Sequence, residues 1–142
     1  MAGNHVRGHH RFEEHTGEVR LELGAPSLEE LFVEAGRALA ELMMGDLAAS
    51  PAPGPEQRVR VRAADLAALL VEWLNELIFL SETSKQVFTR FRIERIGLGE
   101  LEAVVAGVAP QALKTQVKAA TFHGLSVENR QGAWRASIVL DV

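Results

Sequence analysis

Glu18, Lys118, Asp141 and Val142, with His15 and His123, are the residues of this chain whose types could do chemistry. Two side-chain carboxylates and the α-carboxylate of Val142 offer only oxygen donors. Hard oxygen donors suit Ca2+ or Mg2+ better than zinc. A lone Glu and a distant Asp have no diagnostic spacing, so solvated groups at strand ends are the plainer reading. His15 and His123 fit a base and its partner, or metal ligands, but single histidines are more often hydrogen-bonded groups near an edge. His5, His9 and His10 fall in a polar N-terminal stretch that reads as a flexible arm over residues 1–10. Residues 11–142 then read as one domain.

The elements that must position these groups follow from periodicity. Val19, Leu21 and Leu23 alternate with charged residues, which predicts a half-buried strand. Ser27 and Glu30 form a capping box, and Leu28, Leu31, Phe32, Ala35, Leu39, Leu42 and Met43 recur at helical spacing up to Gly45. A Pro-rich surface loop follows, containing Pro51, Pro53 and Pro55. Val59 and Val61 alternate with Arg58, Arg60 and Arg62 as a second strand. Asp65 caps a second helix that buries Leu66, Leu69, Leu70, Trp73, Leu77 and Leu80. Beyond Thr83 and Ser84 the period is two, and five strands are expected: around Phe91 and Ile93, over 101–108, over 113–121, at Leu125 and Val127, and over 134–140. By parity Lys118 and Asp141 point away from the core. The predicted class is α+β, with two main helices packed on a mainly antiparallel sheet.

Composition narrows the function. The chain has 142 residues, 47% hydrophobic and 24% charged, with a net charge of −4. That is enough to bury a core unaided. Its acidity gives no global attraction to nucleic acid or to an anionic membrane. Arg58, Arg60 and Arg62 are the best local basic patch, with Arg90 and Arg92 a second, although both also read as solvated strand faces. Without cysteine there is no disulfide, thiolate zinc site or cysteine nucleophile, which fits a cytoplasmic protein. Residues 1–10 lack the apolar segment of a signal peptide, and 66–80 is too short and polar to span a bilayer. No P-loop, dinucleotide fingerprint, G-x-S-x-G or H-E-x-x-H occurs.

Four ordered segments resemble the archease family. Phe12-Glu13-Glu14-His15-Thr16 is similar to its opening motif, and Glu72-Trp73-Leu74-Asn75-Glu76-Leu77 to its Asp-Trp-Leu-Asn-Glu-Leu helix. The run from Val117 through Lys118, Thr121 and His123 to Leu125 resembles its Val-Lys-Ala-Val-Thr-Tyr-His-Gly-Leu segment. Leu140-Asp141-Val142 resembles its Phe-Asp-Val ending. The resemblance implies a fold built on a strand-helix-strand-strand module. It implies a non-catalytic partner of an RtcB-type RNA ligase in tRNA splicing, promoting guanylylation and multiple turnover. It further implies a divalent metal, Ca2+ first with Mg2+ or Mn2+ as alternatives, held by Glu18, Asp141 and Val142. Lys118, His15 and His123 would lie in the same functional tip. Glu18 stands where the family usually has Asp, which keeps the charge and extends its reach by roughly 1.5 Å. Stable direct nucleic-acid binding and membrane association are not expected. The other readings are a general chaperone or assembly module acting through apolar surface, and a small hydrolase using His15 and Glu18.

Overall fold

The computed structural model describes residues 7–142. Its elements run β1 (His9–His15), β2 (Glu18–Ala25), α1 (Leu28–Met44), β3 (Gln57–Arg62), α2 (Leu66–Ser84), β4 (Val87–Ile96), β5 (Glu100–Val108), β6 (Ala119–Arg130) and β7 (Ala133–Asp141). A short 3-10 turn, Leu47–Ala49, lies in the Pro-rich loop. The strands form two antiparallel sheets, ordered β1-β2-β7-β6 and β3-β5-β4. The two helices pack on them, as the α+β expectation required. The succession β3-α2-β4-β5 is a strand-helix-strand-strand module.

The helix ends lie where the capping residues put them. Ser27 Oγ accepts the Glu30 N–H at 3.2 Å, and Asp65 Oδ1 accepts the Ala68 N–H at 2.8 Å. At the far end of α1, Gly45 takes φ +94°, a conformation open to glycine at little steric cost. Both helices touch both sheets: α1 meets β2 and β4, and α2 meets β6 and β3. Trp73 is wholly buried between them, and its indole N–H donates to the Phe32 carbonyl at 2.9 Å. The Phe91 ring meets Trp73 edge-on, with centroids 6.2 Å apart. It lies so close to α1 that a Cβ on Gly36 would come within 2.7 Å of it.

The structure corrects the sequence reading in three places. Strand β1 begins at His9, so His9 and His10 belong to a strand and not to an arm. His5 lies outside the described residues. Residues 113–118 form no strand: β6 starts only at Ala119 and runs unbroken through Leu125 and Val127 to Arg130. One long strand therefore replaces two expected ones. Lys118 is exposed as expected, but the parity argument behind that fails. Ala119 lies opposite Asp141, and it is Ala120, opposite Leu140, that is buried.

Candidate functional site

Strand register assembles one end of the four-stranded sheet. His15 pairs with Glu18, Glu18 with Asp141, and Asp141 with Ala119. Directly opposed residues on antiparallel strands project from the same face. The alternating partners Val19, Leu21, Ile138 and Leu140 are buried, so this row lies on the face away from the core. The row has a main-chain frame. The Lys118 N–H donates to the Asp141 carbonyl at 2.8 Å, and the Val142 N–H donates to the Gly17 carbonyl at 3.1 Å. Gly17, at φ +77°, makes the tight β1–β2 turn that brings that carbonyl round. Three distant stretches of chain thus meet: the β1–β2 hairpin with its turn, the end of β7, and the start of β6.

The electrostatics of the row are unbalanced. Glu18 and Asp141 are like charges directly opposite each other on adjacent strands, an arrangement that destabilises a sheet unless something neutralises it. Among the described residues neither carboxylate has an ion-pair partner, and Lys118 joins the row through its main chain. No group of three or more His, Asp or Glu side chains among the described residues is placed to hold a metal. Two carboxylates in register, with main-chain oxygens beside them, are nevertheless an all-oxygen donor set that fits a hard divalent cation.

The two histidines do not act as a pair. His15 Nε2 lies 3.0 Å from Glu13 Oε1, so Glu13, and not Glu18, orients this imidazole. That hydrogen bond is the chief cause holding the Glu13 carboxyl below its ordinary pKa, with Arg11 and Arg20 adding to it. His123 sits on β6, at the opposite edge of the sheet from His15. There residues 122–125 bulge out of register, four of them against the single residue Ile138. Gly124 takes φ +62° in the bulge, and a Cβ on it would meet the Arg20 guanidinium at 3.1 Å. The bulge therefore folds over the outer face toward β2 and leaves Phe122 and His123 exposed.

Other candidates resolve differently. Four of the six arginines of β3 and β4 face carboxylates, Arg62 and Arg90 standing outside these pairs: Arg58 pairs with Glu94, Arg60 with Glu102, Arg92 with Glu56 and Glu94, and Arg95 with Glu100 and Glu102. This is a mixed-charge face, not a bare basic patch. Two contacts were not foreseen. His10 lies between Glu34 and Glu41, and Asn75 reaches the backbone of Ala120. An amide flanking an apolar helical stripe was the available signal for Asn75, since a half-buried polar group needs a partner.

Comparison with known proteins agrees with this frame. The family model described as the archease protein family (MTH1598/TM1083) matches residues 10–142. The chain belongs to the archease family. It is 30% identical over 141 residues to the protein archease of Methanosarcina mazei, covering 94% of this chain and 95% of that one. It is 34% identical over 139 residues to the protein archease of Methanopyrus kandleri, covering 91% and 96%. The solution structure of Methanobacterium thermoautotrophicum protein 1598 superposes with a TM-score of 0.74 at 27% identity, over 94% of this chain and 98% of that one. The crystal structure of an archease from Thermotoga maritima, described as a possible chaperone, gives 0.65 at 23% identity over 98% and 99%, a likeness of fold. Among the described residues of this archease, no helix is long and apolar enough to cross a membrane.

Proposed function

We propose that this archease is a non-catalytic accessory factor of an RtcB-type RNA ligase, promoting its guanylylation and multiple turnover in tRNA splicing. In this reading the end of the four-stranded sheet is the working tip. Glu18 and Asp141, with a main-chain oxygen of Val142, hold a divalent cation, Ca2+ before Mg2+ or Mn2+. The observation that carries the reading is the Glu18–Asp141 register. Two unneutralised carboxylates directly opposed cost stability, and a cation between them turns the repulsion into attraction. A bound cation would supply local positive charge for phosphate or for carboxylates of the ligase. The side chain of Lys118 adds a second cation at the same end, able to meet a phosphate or carboxylate oxygen. His15, oriented by Glu13, and His123 on its bulge flank the tip as hydrogen-bonding groups.

The test is ligated RNA per ligase molecule with GTP and divalent metal, at substoichiometric archease. Wild type is expected to give many turnovers. Glu18→Ala, Lys118→Ala and Asp141→Ala, all at half-buried or exposed positions, should lose most of that stimulation while staying folded. Folded wild type that leaves the ligase at a single turnover would refute the reading. A general chaperone is the second reading, favoured by the exposed Phe79, Leu98 and Phe122 and by the description of the Thermotoga relative. It predicts protection of unrelated clients from aggregation, undiminished by Asp141→Ala.

A further inference from the structure

The tip hangs on a short length of strand. Residues 109–118 before β6 belong to no helix or strand, and the bulge begins at Phe122. Between them only Ala119, Ala120 and Thr121 are in register with β7. β6 is also an edge strand, and among the described residues no further strand supports it from outside. Three paired residues at a sheet edge are a weak anchor, because edge pairing frays readily where few contacts hold it. Yet Lys118, the next residue, has to hold its place against Asp141.

Asn75 of α2 supplies the missing neighbour. Its side-chain N–H donates to the Ala120 carbonyl at 3.1 Å, and its Oδ1 accepts the Ala120 N–H at 2.8 Å. A carboxamide carries one donor side and one acceptor side, like a peptide unit, so it completes the edge as one residue of an added strand would. Neither an ionised Asp, which only accepts, nor an Ala does this. Ala120 is buried, so its two backbone groups have no ready replacement partner. Asn75 is itself fixed in angle by its chain neighbours Trp73 and Leu74, both wholly buried.

We infer that Asn75 is a positioning residue of the tip, holding the 118–121 segment against β7 so that Lys118 and Asp141 keep one relative geometry. The inference rests on the accessory reading above for its consequence, though not for the clamp itself. It assigns the helix motif a task beyond core packing: the face of α2 carrying Trp73 builds the core, and Asn75 fastens the tip to it.

The experiment compares full-length wild type, Asn75→Ala and Leu69→Ala. Leu69 is fully buried on the same helix and has no polar side-chain group to bond β6, so its variant lowers the melting temperature without loosening the clamp. At a temperature where all three are folded, Asn75→Ala should raise the archease concentration giving half-maximal ligase stimulation by about tenfold, the scale of a lost buried hydrogen-bond pair. Leu69→Ala should leave it unchanged. Amide hydrogen exchange should quicken at Ala120 and also at Lys118 in Asn75→Ala, relative to the core of the three-stranded sheet. If Asn75→Ala stimulates as well as wild type, or no worse than an equally destabilised Leu69→Ala, the positioning role is wrong. Should wild type itself fail to stimulate, the accessory reading falls, and exchange at Ala120 and Lys118 still decides the clamp. Unchanged protection there in Asn75→Ala would overturn it.

Discussion

His10 shows how a residue can gain a role that its sequence neighbourhood conceals. Its Nδ1 lies 2.5 Å from Glu34 Oε2 and its Nε2 lies 2.5 Å from Glu41 Oε2. Both ring nitrogens can donate at once only in the imidazolium. The Glu34 hydrogen bond is the largest cause raising the His10 pKa above 6.5, ahead of the opposing effect of burial, with Glu41 adding to the rise. A pKa raised on folding gives stability that is full below the unfolded value and is lost as pH rises through the folded one. The urea midpoint of the protein is therefore expected to fall from roughly pH 6 upward, and His10→Gln should flatten that slope. An identical slope in the variant would show that another group titrates. Type and strand parity marked Glu18 and Asp141 as outward acids, but only the family resemblance set them side by side, and the register places them opposite each other. The partners of His10 lie 24 and 31 residues away on a helix, and no local pattern announces a contact of that kind.

The elements that sequence placed well are those in which local and tertiary demands agree. The capping residues Ser27 and Asp65 began both helices, and Gly45 ended α1, where expected, because an unsatisfied helix end is costly wherever it lies. The stretch from 113 to 118 misled for the opposite reason. Leu113, Thr115 and Val117 alternate like a strand, but the Lys114 N–H is taken up by the Met43 carbonyl at 2.7 Å, closing the end of α1, and Leu113 stands exposed. Alternation says only which side chains face together. It does not say where the backbone finds its hydrogen bonds. The bulge at residues 122–125 similarly disguised one strand as two, since Gly124 looks like a turn. At the core of the elements, Trp73→Ala removes a fully buried indole and its hydrogen bond to the Phe32 carbonyl. A loss of about 3–5 kcal/mol is expected from denaturant unfolding. A loss under about 1 kcal/mol would mean that the helices repack around the gap.

Across the whole molecule, sequence announced antiparallel strands and two helices but not their division between two sheets. Alternation is the same in either sheet, and only the pairing partners differ. Those partners are far apart in one case and near in the other. β3, α2, β4 and β5 are contiguous in the chain, and their sheet closes over short loops. β7 is the last strand, yet it occupies the middle of its sheet, between β2 and β6, and its register ties Glu18 to Asp141. Closing a loop that long costs entropy before any contact is gained, and topologies rich in such contacts fold slowly. The order of events during refolding follows. Pulse-labelled hydrogen exchange should find amides of β3, α2, β4 and β5 protected first and those pairing β2 with β7 last. Simultaneous protection of both sheets would contradict this order. On this course a partly folded chain carries a finished three-stranded half and no row of opposed carboxylates, so the acidic tip is the last part of the molecule to come into being.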